Sequence, residues 1–210
     1  MTLQNRVDPW GQLNANPARS STVMGNRGIL HDDRRQVLRS WAGKSWVACL
    51  PYFKGIDRKP LFQPGRYSEL FFLDEATAFA AGHRPCAYCQ RDRFNLFKEH
   101  WVNANMPNST VASVSIKEVD TIIHHDRAAR GGVKVTFDGP AASLPEGTLI
   151  ELNGTAALIH KRGLLQWSFT GYAPFALVPK LQSVKVLTPK SIVQLFHAGF
   201  TPRTHASADA

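Results

Sequence analysis

AGHRPCAYCQ, residues 81–90, holds two of the chain's three cysteines, Cys86 and Cys89, directly after a Gly and a Pro. Three chemistries fit such a pair. A Cys-x-x-Cys turn can aim two thiolates at one metal ion, work as a redox dithiol, or be two small buried side chains. The Gly and Pro punctuation argues for a purpose-built turn. A redox dithiol is expected after a strand and at a helix start, whereas this pair follows a helix stop, which favours metal. Tetrahedral zinc needs four ligands, so the pair is half a site. Cys49, in the strand-like run SWVACLPYF (residues 45–53), is the expected third ligand.

Upstream of the turn, YSELFFL (residues 67–73) reads as a strand. Asp74 is a good N-cap for the helix EATAFAA, and Gly82 stands where a left-handed C′ residue belongs. Downstream, QRDRFNLFKEHWV (residues 90–102) places Phe94, Phe97, Trp101 and Val102 on one helical stripe, a core-facing pattern. Residues 1–30 show no period and read as an irregular arm. DDRRQVLRSWAG (residues 32–43) is expected to be a short helix capped by Asp32 or Asp33 and ended by Gly43.

The second half changes character. TLIEL, TAALIH and LLQWSF are strand-like runs joined by Asn153-Gly154 and by Lys161-Arg162-Gly163, which predicts an antiparallel meander. SVKVL adds a strand, and TPKSIVQLFHAGFTP (residues 188–202) predicts a helix with Thr188 as N-cap and Gly199 as C′. The segment RTHASADA (residues 203–210) is expected to be mobile. The fold class is therefore α+β: a zinc-organised first half over residues 1–105 and a β-rich half over residues 106–210 that ends in a helix.

Composition bounds the function. A hydrophobic fraction of 43% and a charged fraction of 20% over 210 residues are those of a folded chain. No window approaches the roughly 18 apolar residues of a membrane span, and the N-terminus lacks a basic-then-apolar leader, so no membrane partner and a cytoplasmic location are expected. Three cysteines are too few for a disulfide scaffold. The net charge of +9 is concentrated in residues 1–60, which hold ten Lys/Arg against four Asp/Glu. Such an excess favours polyanions, nucleic acid above all, because neutralised phosphates release counterions.

FFLDEATAFAAGHRPCAYCQ (residues 71–90) resembles the second half of the zinc-binding module of the Ada family of DNA methyl-phosphotriester repair proteins. There a strand, a short Ala-rich helix, a Gly-aromatic-Arg-Pro turn and a Cys-x-x-Cys occur in this order. The resemblance implies a four-ligand Zn2+ site and a connection to DNA. It makes Cys86 and Cys89 the second ligand pair and Cys49 the retained member of the first. The family's methyl-accepting cysteine falls at Ser45, and a hydroxyl is not a comparably activated zinc-bound nucleophile, so methyl transfer is not expected.

The fourth ligand is then sought among His31, His83 and His100, with His31 favoured because it would tie the arm to the site. Arg84, Arg91 and Arg93 beside the turn, with Lys54, Arg58 and Lys59 in the loop KGIDRKP, are the expected phosphate contacts. An alternative is a metal-dependent phosphodiester hydrolase built on VDTIIHHDR (residues 119–127), with His124 and Asp126 as catalytic candidates. On an extended segment His124 and His125 would point to opposite faces. A third class is an adaptor whose zinc is purely structural. No Walker loop, G-x-S-x-G elbow or dinucleotide fingerprint is present.

Overall fold

Residues 6–26, expected to be an irregular arm, fold into sheet. The computed structural model describes residues 2–175 and 183–210, and it opens with β1 (Arg6–Val7), β2 (Leu13–Asn14) and β3 (Val23–Asn26). With β4 (Val47–Cys49), β5 (Leu70–Phe72) and β6 (Arg84–Pro85) they form a sheet of order β2-β1-β5-β3-β4-β6. Most neighbours are antiparallel, but β1 runs parallel to β5 and β4 parallel to β6. The helix expected over residues 32–43 does not form. The Asp32 carboxylate accepts from the backbone N–H groups of Arg34 and Gln36 (2.9 Å each), an Asx-type turn that competes with helix, and His31 bridges back to Val37.

Helix α1 (Glu75–Ala80) starts as its cap predicts: the Asp74 carboxylate accepts from the Thr77 N–H at 2.8 Å and from the Thr77 hydroxyl at 2.7 Å. All six of its residues are buried. Ala76 and Ala80 face one cluster with Leu149, Leu158 and Leu165, Phe79 faces another with Phe97 and Phe196, and Ala78 faces a third with Val7 and Phe72. A helix buried on every side has to be enclosed in this way, and its one acid, Glu75, is met by Arg93. It ends at Gly82, whose φ of +86° is left-handed, and an added Cβ there would meet the Arg127 side chain at 2.2 Å, so no other residue fits.

Helix α2 (Arg91–Asn105) buries Phe94, Phe97, Trp101 and Val102, the stripe seen in the sequence. Helix α3 (Ile116–Arg127) replaces the extended segment considered for residues 119–127. Its start is a capping box: the Ser115 hydroxyl accepts from the Glu118 N–H (3.3 Å) and the Glu118 carboxylate from the Ser115 N–H (2.8 Å).

The second sheet has the order β11-β10-β9-β8-β12-β7, formed by β7 (Phe137–Pro140), β8 (Leu149–Leu152), β9 (Thr155–His160), β10 (Gly163–Ser168), β11 (Gly171–Pro174) and β12 (Ser183–Val186). The meander is the run from β8 to β11. Its first hairpin turns at Asn153-Gly154 with φ of +51° and +76°, as a two-residue turn requires.

Helix α4 (Lys190–His197) closes the fold. Thr188 does not cap it, because its hydroxyl accepts from the Leu149 N–H (2.9 Å) instead. The two sheets lie on either side of residue 106, yet the clusters around Ala76 and Phe79 each draw side chains from both halves. The segment 203–210 is pinned rather than mobile: the His205 N–H donates to Asp74 (2.9 Å), the Ser207 hydroxyl accepts from the Tyr172 N–H (2.8 Å), and Ala208 is fully buried among Leu73, Leu149 and Trp167. Among the described residues no helix is long and apolar enough to cross a membrane.

Candidate metal centre and basic surface

Parallel pairing of β4 with β6 brings the three sulfurs together. Ala48 stands opposite Pro85, the Cys86 N–H donates to the Ala48 carbonyl at 2.8 Å, and Cys86 is thereby delivered beside Cys49. The turn over residues 87–89 then returns Cys89 to the same place. The Sγ atoms of Cys49, Cys86 and Cys89 all lie within 4.8 Å of one another. Sulfurs sharing one tetrahedral zinc at about 2.3 Å stand about 3.8 Å apart, so a small closure would let these three share one ion.

Three soft thiolates suit zinc, and the Leu50 N–H points at Cys89 Sγ (3.4 Å), a donor of the kind that orients metal thiolates. A hydrogen bond from the Cys49 thiol, helped by the backbone N–H groups of Cys89 and Tyr88, draws Cys86 down to about 5. Its counterpart pushes Cys49 up, and burial raises Cys89.

The pair also sits just ahead of α2, so the strand-then-helix setting of a redox dithiol is present after all. The third sulfur within reach is what separates this cluster from a simple dithiol.

His31 does not complete the set. Its Nδ1 meets the Ser68 hydroxyl (2.6 Å), its Nε2 the Gln63 carbonyl (3.2 Å), and its ring stacks on Phe62 at 4.5 Å, all of which hold it in the first sheet's core rather than at the sulfurs. His83 is buried between Phe72 and Trp46 and accepts from Arg27 Nε (3.3 Å), and burial lowers its pKa so that it is neutral. His100 Nδ1 faces the Ala198 carbonyl. Among the described residues no His, Asp or Glu joins the three cysteines. A cavity of about 270 Å³ lies against Cys49, with Gln90, Glu75 and His205 on its walls.

The basic residues divide. Arg84 is buried, and its guanidinium donates to both Asp120 oxygens at 2.7 and 2.8 Å and to the Ser45 hydroxyl at 3.1 Å. Arg93 donates to both Glu75 oxygens at 3.0 and 2.5 Å, and its guanidinium carbon lies 3.9 Å from the centre of the Phe200 ring. Neither is free to meet a phosphate; both are internal ties. Arg58 donates to the Pro51 carbonyl (2.8 Å) and braces its own loop. Lys54, Lys59 and Arg91 are exposed.

A feature missed in the sequence accompanies them: Tyr88, between the two turn cysteines, is 65% exposed, and Tyr52 is 92% exposed. Phe53 packs edge-on against Tyr88 with ring centres 5.3 Å apart, and Lys54 Nζ lies 5.8 Å from the Tyr88 ring centre. The aromatic pair ahead of a lysine in PYFKG and the tyrosine inside CAYC were the signal available.

The His124 and Asp126 cluster does not form a catalytic pair. His124 is edge-on to Trp41 and Trp46, and burial with Arg127 and Lys44 alongside holds it at about 4. Asp126 accepts from the Ser191 N–H (2.9 Å) and serves the start of α4. No family model, curated protein or solved structure matches the chain.

Proposed function

We propose that the chain is a zinc-dependent nucleic-acid-binding protein. Cys49, Cys86 and Cys89 hold one zinc ion, and the surface around Tyr88 meets single-stranded nucleic acid. The observation that carries this reading is the position of Tyr88 within the metal turn, exposed and flanked by Lys54. Exposed tyrosines next to lysines are a stacking platform, since every base offers a π-face and the cations neutralise phosphate. The net charge of +9 and the resemblance to the Ada family add support, and the latter favours DNA.

Zinc, when bound, supplies fixed bonds between β4 and the turn before α2, and so sets how Tyr88 is presented. With three protein thiolates the remaining coordination position falls to water or a ligand, and the cavity beside Cys49 gives such a ligand room.

The test is a salt series of gel-shift or anisotropy measurements on full-length protein loaded with one zinc per chain, using single-stranded DNA. Affinity is expected to fall steeply with salt, Tyr88→Ala to weaken binding about 5- to 100-fold, and Arg91→Ala to flatten the salt slope by about one. Absence of any complex at low ionic strength, with zinc bound, removes the proposal.

A further inference from the structure

Away from the cysteines, three cations converge where the β1–β2 hairpin, the loop before β4 and the end of α3 meet. Arg27 is 2% exposed; its Nε donates to His83 and its Nη1 to the carbonyls of Gly11 (3.0 Å) and Ser40 (3.3 Å), while its Nη2 is buried with no partner. Arg127, equally buried, donates from both terminal nitrogens to the carbonyls of Gly82 and Lys44, and its Nε has no partner. Lys134 Nζ donates to the Ala80 carbonyl alone, leaving two of its three N–H groups unspent. Both guanidiniums lie on the Trp46 ring, at 4.1 Å for Arg27 and 3.8 Å for Arg127.

Among the described residues no carboxylate oxygen lies within 4.0 Å of these three groups. The acids nearby are committed elsewhere: Asp8 to the Gln12 N–H and the Asn14 amide, and Asp120 to Arg84. Burial pushes Arg27 down to about 9 against the opposing pull of Asp8, and burial with repulsion from Arg27 and Arg127 pushes Lys134 down to about 7. All three line one cavity of about 120 Å³, walled also by Trp41, Trp46 and Gln12.

We infer that this cavity binds a small oxyanion, inorganic phosphate or the phosphoryl group of a phosphomonoester, through the unspent N–H groups of Arg27, Arg127 and Lys134. Guanidinium forks match phosphate oxygens, and a dianion offsets the charge that the fold otherwise leaves exposed to its own repulsion. Nothing in this site involves the cysteines, so it stands apart from the zinc and nucleic-acid reading.

The test is thermal unfolding of the full-length protein at constant ionic strength as chloride is replaced by inorganic phosphate, with metal content measured on the same sample. Phosphate at about 100 times its Kd is expected to raise Tm by about 5–10 °C and to change tryptophan emission in a saturable way. Lys134→Met is expected to raise the Tm of the anion-free protein and to weaken phosphate at least about tenfold. Asp8→Asn, which removes an acid whose charge acts on both Arg27 and Lys134, is expected to tighten phosphate.

A nucleoside 5′-monophosphate binding more tightly than phosphate identifies a phosphomonoester as the ligand; binding no tighter identifies the free ion. A Tm indifferent to tens of millimolar phosphate, or a phosphate response unchanged in Lys134→Met, overturns the inference.

Discussion

Cys86→Ser is expected to empty the metal centre: zinc per chain falls from one to none after gel filtration, and affinity drops by more than about 100-fold. Loss of a hydrogen-bond partner that orients a metal ligand already costs about 10- to 100-fold, and loss of a direct thiolate costs more. Serine keeps the shape of the side chain, so the change isolates the donor atom. The effect extends beyond the ion. β6 pairs with β4 through only Val47–Arg84 and Ala48–Pro85, a ladder too short to hold itself. Structural zinc in small modules carries about 10–16 kcal/mol of apparent binding energy, which is available to folding. Chelation of the native protein should therefore lower Tm, and the variant should start from that lower value and ignore the chelator. Elemental analysis and calorimetry read both quantities. A Cys86→Ser protein with full zinc would dismiss the three-sulfur centre.

The second large effect is at Asp120. Its pair with Arg84 is buried, with side-chain exposures of 7% and 6%. Asp120→Ala leaves the guanidinium of Arg84 in the interior without a counter-charge and close to Arg127, whose own charge already suffers from Arg84. Breaking such a pair from one side costs about 3–5 kcal/mol. Replacing both partners together, Arg84→Met with Asp120→Leu, removes the stranded charge and is expected to recover most of that loss. Urea denaturation of the two variants checks the contrast. A cost below about 1 kcal/mol for Asp120→Ala would mean that water reaches the pair. The same geometry explains why Arg84 is no phosphate contact: its side chain is what fastens the cysteine turn to α3.

Local signals carried the parts of the fold that local chemistry decides. Asp74 and Gly82 bracket α1, the Phe94–Val102 stripe marks α2, and Asn153-Gly154 turns the β8–β9 hairpin, each because a cap, a stripe or a positive φ is demanded by the element itself. β1 and β2 have two residues each, too few to show alternation, and exist only because β5 offers them an edge. Helix α3 was hidden by Asp120 and Arg127, charged residues on its buried face, although Ser115-x-x-Glu118 announces its start.

In the site, Cys49 joined to Cys86 and Cys89 was legible from the strand pattern around it. The fates of Arg84 and Arg93 were not, since their partners Asp120 and Glu75 lie 36 and 18 positions away and nothing local selects them. The cation cavity was likewise invisible, because Arg27, Arg127 and Lys134 meet only after three separate segments fold.

The pinned segment at residues 205–208 ties the interior to a distant part of the chain. Ala208 completes a cluster begun by Leu73, and the His205 amide occupies the same carboxylate that nucleates α1. The start of α1 and the interior beneath it therefore depend on a contact 131 positions further along the chain, so shortening the chain before residue 205 would leave the Asp74 carboxylate without that N–H and the cluster around Leu73 open to water.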